Sequence, residues 1–194
     1  MIVGAILTQR TAWRNAAQAV QRLAQSGWLS VEAMHGVPVG HLVEAIRAAG
    51  FYHMKARRLK GVAQHLIEQH DGSIDRLFLL PTGVLRDELL GLSGIGEETA
   101  DAILVYAARR PSFVVDSYTR RLLRRLGWIS GKEPYGELRD LFLDALPPDG
   151  TMLGEYHALI VQHGKTCCRV APICHGCPLR SICPAGEAVL KVEG

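Results

Sequence analysis

Residues 89–127 read LLGLSGIGEETADAILVYAARRPSFVVDSYTRRLLRRLG, and they contain the most informative pattern of the chain. Gly94 and Gly96 supply the backbone freedom for a sharp turn between two helical segments. The second segment begins near Glu97 and carries apolar residues at helical spacing on one face: Ala100, Ile103, Leu104, Ala107 and Ala108. The stretch therefore predicts a helix, a glycine hairpin and a second helix.

The start of the second helix is suited to hold an anion. The first backbone N–H groups of a helix have no partner within it, and the helix dipole adds positive charge there. Glycines also let a phosphate approach the backbone closely. The alternative is an ordinary connection between two packed helices, which is the commoner meaning of an isolated Gly-Ile-Gly.

A short β-branched run after this helix leads into Asp116, at the N-cap position of a further helix. A carboxylate there accepts hydrogen bonds from unpaired N–H groups and is stabilised by the positive helix end. We therefore expect Asp116 to stay ionised at neutral pH. Capping alone could explain the residue. Its place between a hairpin of this type and four arginines in residues 120–125 also suits chemistry that develops positive charge on a sugar.

The other segments show helical periodicity, and no stretch alternates with period two for long enough to indicate a sheet. The prediction is an all-α protein. Pro81 is expected to start the first hairpin helix, where the missing N–H of proline does no harm. The last long helix is predicted to bury a face made of its larger side chains: Met152, Tyr156, Leu159, Ile160 and His163.

The motif L-x-G-I-G-x-x-T-A-x-x-I-L followed by V-V-D resembles the helix-hairpin-helix DNA glycosylase superfamily, in particular endonuclease III. Nearly the whole chain takes part in this resemblance. It implies a two-lobed all-α fold and a base excision repair enzyme. It also implies that Asp116 stabilises an oxocarbenium-like sugar and helps to activate the nucleophile. The hairpin would grip a phosphate of damaged double-stranded DNA through Gly94, Ile95, Gly96 and Thr99.

The same resemblance implies further contacts with DNA. Gln9 matches the glutamine of an L-x-Q-x-T segment, which enters the gap left by the extruded base. Phe51 matches the apolar residue of a G-apolar-Y-x-x-K-A loop, which wedges into the opened base stack and recovers part of the unstacking cost. A core aromatic is the alternative for Phe51. The remaining expectations are DNA contacts by Lys55 and Arg120 and a base pocket that draws on Trp13, Tyr52 and Tyr118.

Five cysteines lie between residues 167 and 183, and none lies elsewhere. A secreted disulfide framework would distribute them along the chain, so the grouping favours a metal site. Cys167, Cys174, Cys177 and Cys183 are spaced as in the iron–sulfur loop of endonuclease III, which implies a 4Fe–4S cluster. Zinc is the alternative, although zinc ribbons usually present two C-x2-C pairs and this loop has one. Cys168 is an additional thiol, and a ligand register shifted by one residue stays open.

Glu98 departs from the pattern of endonuclease III. Bifunctional members carry a lysine there, which attacks the sugar and forms a Schiff base. A carboxylate cannot do so, and we therefore predict a monofunctional glycosylase with weak or absent AP lyase activity. Glu98 and Tyr118 are closer to the 3-methyladenine glycosylase branch, which favours an alkylated base. The alternatives are a glycosylase/AP lyase for oxidised pyrimidines, a non-catalytic lesion-binding protein and a small iron–sulfur electron carrier.

The charge and hydropathy of the chain are compatible with a DNA-binding protein. The net charge of +3 and the isoelectric point near 8.7 permit nucleic-acid binding. No apolar run is long enough to cross a bilayer and no secretory signal is evident, so we expect a monomer that is cytoplasmic, nucleoid-associated and free of membrane partners. One lobe is predicted at residues 10–127, with the hairpin helices at about 81–109. The other comprises residues 1–9 and 128–194 with the cluster loop at 167–183, and it is expected to lack the family's leading helix.

Overall fold

The computed structural model describes residues 1–186, and in this range the chain is all-α, as predicted. Helix alternates only with turns and irregular connections, and the described residues form no strand. Two 3-10 turns, Arg47–Ala49 and Arg180–Ile182, accompany the α-helices. The α-helices are α1 (Ile2–Leu7), α2 (Trp13–Gln25), α3 (Val31–Gly36), α4 (Val39–Ala45), α5 (Tyr52–His70), α6 (Ile74–Phe78), α7 (Thr82–Gly91), α8 (Glu97–Tyr106), α9 (Ser117–Arg125), α10 (Tyr135–Ala145) and α11 (Gly150–Thr166).

The chain forms two compact units, Met1–Ala108 and Arg109–Gly194, here called unit 1 and unit 2. Their bounds differ from those of the predicted lobes. Helix α1 packs in unit 1, where the side chains of Ile6 and Leu7 are fully buried in the core. Helix α9, predicted to share a lobe with the hairpin, belongs to unit 2.

Unit 1 is built around α5, its longest helix, which packs against α1, α3, α4 and α6. The hairpin helices α7 and α8 pack on each other, and α8 also packs on α1. Leu85 and Leu89 of α7 and Leu104 of α8 are buried in this core. Burying each such side chain contributes about 2 kcal/mol, so the hairpin is fixed to unit 1 by apolar packing.

Unit 2 packs α9 against α11 and centres on a stacked aromatic pair, Phe113 and Phe142, with ring centroids 3.8 Å apart. The buried face of α11 is formed by Leu153, His157, Ile160 and Gly164, whereas Leu159 is 68% exposed. The predicted face was therefore wrong by about one position. Close packing at glycine explains the error, because a side chain at Gly164 would overlap the ring of Tyr118.

None of the described helices combines the length and the apolar character needed to span a lipid bilayer.

Candidate functional site

The hairpin predicted from the two glycines is present between α7 and α8. Gly94 has a φ of +82°, a conformation that side chains other than glycine rarely adopt. Ile95 is 5% exposed, and its N–H donates to the Leu92 carbonyl over 3.0 Å, so the tip of the turn is anchored in the core. Gly96 is the N-cap of α8, and no side chain caps this helix. The geometry suits recognition of an anion by backbone groups.

Two side chains of unit 1, those of Gln9 and Arg58, contact the hairpin. The amide nitrogen of Gln9 donates to the Gly94 carbonyl over 3.0 Å and to the Thr99 hydroxyl over 2.9 Å. The amide oxygen of Gln9 accepts a hydrogen bond from Arg58, which lies directly against Gly94. The structure therefore brings Gln9, Gly94 and Thr99 together. Arg58 was missed, because nothing in its local sequence points to a glycine so far along the chain.

Phe51 projects from the start of α5. Its side chain is 54% exposed and its backbone is left-handed, with φ of +46°. This conformation is strained for a large residue, and Gly50 before it, with φ 63° and ψ 164°, adopts one that is essentially restricted to glycine. The structure thus presents an aromatic ring to solvent at a cost in backbone energy. Such an arrangement suits a wedge better than a core residue.

Lys55, which the sequence predicted to contact DNA, is directed into the interior of unit 1. Its side chain is 1% exposed, and its ammonium group donates to the Leu7 carbonyl, the Ala49 carbonyl and the Thr11 hydroxyl over 2.7–2.8 Å. Burial, together with the nearby charge of Arg58, lowers the pKa of Lys55 to about 8. All three donors of the ammonium group are used inside unit 1. Lys55 therefore ties α1 to α5 in this structure and is not placed to contact a phosphate.

Asp116 is the N-cap of α9, as predicted. One carboxylate oxygen accepts from the Thr119 N–H over 2.8 Å and from the Thr119 hydroxyl over 3.1 Å. The other lies 3.5 Å from Nε2 of His157, and the side chain keeps 16% exposure. Burial raises the pKa of Asp116, but hydrogen bonds from His157 and Thr119 outweigh it and hold the pKa below its ordinary value. The result is a carboxylate that is ionised at neutral pH and still reachable.

His157 is the second functional residue that the sequence did not reveal. It is 7% exposed, and its ring stands edge-on to Phe113 with centroids 6.0 Å apart. It lies on the true buried face of α11, so a correct helix phase would have placed it toward the core of unit 2. Its distance from Asp116 follows from packing between residues far apart in sequence.

The other candidates occupy varied surroundings. Trp13 is 57% exposed, and Tyr52 is half-buried with the guanidinium of Arg47 5.4 Å from its ring centre. Tyr118 packs against Gly164, and the guanidinium of Arg121 lies 5.0 Å from its ring centre. Two charged candidates complete the set: Glu98 is exposed in the first turn of α8, and Arg120 donates to the Glu133 carbonyl over 2.9 Å.

All five cysteines line one cavity of about 210 Å³ in unit 2. Burial raises the pKa of Cys174, and the neighbouring thiols Cys177, Cys183 and Cys168 raise it further, against an opposing effect of Arg125. Among residues 1–186, no three cysteine sulfurs lie within 4.8 Å of one another. A zinc ion with four thiolates at 2.3 Å needs sulfurs about 3.8 Å apart. The wider spacing here suits a larger, polynuclear centre.

Cys167 and Cys168 both reach this cavity. The sulfur of Cys168 is buried and accepts a hydrogen bond from Arg125 over 3.2 Å, whereas the sulfur of Cys167 lies 3.7 Å from the Thr166 hydroxyl. His163 also lines the cavity, with Nε2 3.8 Å from the sulfur of Cys177. The structure thus places the predicted ligands together and adds Cys168 to them.

Known proteins match these features along nearly the whole chain. The family model described as HhH-GPD superfamily base excision DNA repair protein matches residues 3–148. A Methanocaldococcus jannaschii protein, named provisionally as a DNA repair glycosylase, is 44% identical over 94% of this chain and 84% of its own length. Endonuclease III of Sulfolobus acidocaldarius is 31% identical over 94% of this chain and 79% of its own length.

Solved structures of DNA glycosylases have a similar fold. An endonuclease III–DNA complex superimposes with a TM-score of 0.84 at 24% identity, covering 98% of this chain and 84% of that one, which supports the fold. A 3-methyladenine DNA glycosylase of H. pylori, bound to 1,N6-ethenoadenine, has a TM-score of 0.75 at 28% identity and covers 84% of this chain and 83% of its own. The chain therefore belongs to the HhH-GPD superfamily of base excision DNA repair proteins, as an endonuclease III-like DNA glycosylase.

Proposed function

We propose that this protein is a monofunctional glycosylase that hydrolyses the N-glycosidic bond of an alkylated base in double-stranded DNA. The observation that carries the proposal is Asp116, held ionised at a helix start with part of its side chain exposed. Cleavage of the bond leaves positive charge on the sugar, and a fixed carboxylate stabilises that charge only as it develops. The same carboxylate can accept a proton from the attacking water.

The preference for alkylated bases rests on two features. The H. pylori relative that is 28% identical is a 3-methyladenine glycosylase, and Glu98 occupies the position where a lyase would need an amine. An alkylated base that carries positive charge leaves readily and needs little help from a general acid. The machinery can then consist of a carboxylate, water and aromatic surfaces, for which Trp13, Tyr52 and Tyr118 are the candidates.

Binding of DNA is proposed to use three parts of unit 1. The backbone around Gly94, Ile95 and Gly96 would receive a phosphate, since Ile95 itself is buried and Thr99 is bonded to Gln9. Phe51 would enter the base stack. Gln9 is bonded to the hairpin in this structure, so filling the gap of an extruded base would require it to leave Gly94 and Thr99. In unit 2, Arg120 is retained as a proposed phosphate contact. We expect a monomer that acts in the nucleoid.

The decisive experiment is a panel of duplexes, each with one lesion, scored separately for base release and for strand nicking. Release of an alkylated purine without nicking supports the proposal. Trapping of the native protein on DNA by borohydride would contradict it, because trapping requires an imine. The second candidate is a glycosylase/AP lyase for oxidised pyrimidines, favoured by the similarity to endonuclease III of S. acidocaldarius. Release of an oxidised pyrimidine with nicking would support that candidate instead.

We further propose that Cys167, Cys174, Cys177 and Cys183 hold a 4Fe–4S cluster. The residues present fit this group, because partly buried thiols line one cavity, no three of their sulfurs are as close together as a zinc site requires, and Arg125 supplies positive charge beside them. Bonds from iron to sulfur would hold together a loop that has little apolar core of its own. Iron and sulfide analysis tests this, and the alternative predicts zinc without sulfide.

Paired serine variants would establish the ligand register. Cys177→Ser is expected to lose most of the iron, because it removes a ligand of the only C-x2-C pair. Cys168→Ser is expected to keep it, whereas Cys167→Ser is expected to lose it. If Cys168→Ser loses iron and Cys167→Ser keeps it, the first ligand is Cys168 and the assignment moves by one residue.

A further inference from the structure

Two histidines and a glutamate that have no part in the proposed DNA or cluster sites converge in unit 1. His65 and His70 lie in the last turns of α5, and Glu88 lies in α7. Nε2 of His65 is 2.6 Å, and Nε2 of His70 is 2.5 Å, from the same oxygen of Glu88. One ligand atom from each side chain lies within 4.8 Å of the other two. Both imidazoles therefore contact one carboxylate oxygen, and the three side chains bring three potential metal ligands together.

The chemistry of this set matches a borderline-soft divalent cation. Imidazole nitrogen and carboxylate oxygen are both zinc ligands, at about 2.0–2.2 Å from the ion. Tetrahedral geometry at those lengths places ligand atoms about 3.3 Å apart. The nitrogen–oxygen distances of 2.5–2.6 Å would therefore need to open by less than about 1 Å. An ion would take the place of the protons that now lie between the imidazoles and the carboxylate.

The surroundings hold the three side chains ready without sealing them. His65, His70 and Glu88 retain 23%, 10% and 23% side-chain exposure, which leaves access for an ion and for a water as fourth ligand. On α7, Leu85 and Leu89 flank Glu88 and are fully buried, so the packing of the helix sets the direction of the carboxylate.

The end of α5 is equally well defined. Left-handed Asp71 terminates the helix, and the Gly72 N–H donates to the Leu66 carbonyl over 2.9 Å. This Schellman-type ending fixes the last turn, which carries His70. Ligands that are positioned by the fold before the ion arrives lose little entropy on binding it.

We propose that His65, His70 and Glu88 bind one divalent transition-metal ion, with zinc the best match, and that the ion joins α5 to the first helix of the hairpin. Glu88 lies three residues before Gly91, where α7 ends. A bond from this point to α5 would limit the motion of the segment that leads into the phosphate-binding turn. The site is separate from the cysteine cavity, which lies in unit 2.

The test is a zinc count on matched variants. Purified full-length protein is washed with chelator, equilibrated with zinc by dialysis and analysed for zinc per chain. His70→Gln and Glu88→Gln are each expected to lose one equivalent of zinc relative to the native protein. His41→Gln, which replaces an exposed histidine stacked on Trp28, is the control and should lose none. Zinc bound at the cysteines is common to all four proteins and cancels in the comparison.

A second measurement covers the case in which a variant loses stability for other reasons. At zinc concentrations a hundredfold above the dissociation constant, the thermal midpoint of the native protein should rise by about 5 °C or more. That rise should be absent in Glu88→Gln and present in His41→Gln. Equal zinc content in all four proteins, or an equal rise in native and Glu88→Gln protein, would overturn the proposal and leave a hydrogen-bonded triad.

Discussion

The helices that begin at Gly96 and at Asp116 start in opposite ways. Helix α8 has no side-chain cap, and its N-terminus belongs to a glycine turn that a backbone phosphate could approach. Helix α9 is capped by the carboxylate of Asp116, which takes the Thr119 N–H for itself. The positive N-terminus of α8 is thus available to an anion from outside the protein, whereas that of α9 is occupied by the carboxylate of Asp116. The first arrangement suits binding, and the second suits catalysis.

The largest expected effect comes from neutralising the internal anion. Asp116→Asn keeps an oxygen that can cap α9 but removes the negative charge, so base release should fall by about 10²–10³-fold, with DNA affinity nearly unchanged. Single-turnover release and gel-shift binding measure the two quantities. Asp149→Asn is the matched control, because Asp149 caps α11 through Thr151 and Met152 in the same way. Equal losses in both variants would reduce Asp116 to a structural cap.

His157 provides a test of how that anion is kept ionised. Its hydrogen bond lowers the pKa of Asp116, so His157→Gln should raise that pKa toward or above its ordinary value. Because the ionised form is the active one, the acid limb of the pH–rate profile should move to higher pH. The rate at neutral pH should fall by about tenfold or less. A lower rate with an unshifted acid limb would show that His157 serves packing alone.

The binding arrangement is tested at the glycine turn. Gly94→Ala forces a side chain into a left-handed conformation and into Arg58, at a cost of about 1–2 kcal/mol, and should weaken DNA binding about tenfold. Gly91→Ala is the matched control, since Gly91 lies in α7 outside the proposed phosphate contact, has no left-handed backbone and leaves open space for the added carbon. A comparable loss in Gly91→Ala would show that the effect at Gly94 is not specific to the turn.

The smallest effect on DNA binding is expected from a substitution of Lys55. The ammonium group of Lys55 donates all its hydrogen bonds to acceptors inside the protein. Lys55→Met should therefore lower the free energy of unfolding and leave the salt dependence of DNA binding unchanged. A lysine that contacts phosphate would instead reduce the slope of log K against log salt by about 1. Fluorescence binding at several salt concentrations measures the slope. A reduced slope would return Lys55 to the DNA interface.

The elements that the sequence predicted well are those set by local chemistry. The glycine turn and the Asp116 cap each follow from a few neighbouring residues and their backbone preferences. The cysteine grouping was equally visible because its spacing is short. By contrast, the contacts of Arg58 with Gly94 and of His157 with Asp116 join distant segments. No local pattern encodes such pairs.

Burial of charge was the other source of error. Lys55 follows an exposed loop in a basic segment, and its composition alone indicates a surface residue. Only the folded chain shows that three oxygens surround its ammonium group, from Leu7 at the end of α1, Thr11 before α2 and Ala49 before α5. The α11 face was misassigned for a related reason, since Gly164 is buried against the ring of Tyr118 although it has no side chain. Small residues and satisfied charges are both invisible to a count of hydrophobic side chains.

If Phe51 is the proposed wedge, its left-handed backbone would affect how the protein searches DNA. The unusual conformation is already present in the protein alone, so presenting the ring requires no rearrangement of the loop on encounter. As the protein slides along a duplex, the ring would already be in position to insert. The rate of insertion at each base step would then depend on how often that base pair opens. Weakly stacked or distorted steps, which open most often, would be sampled first.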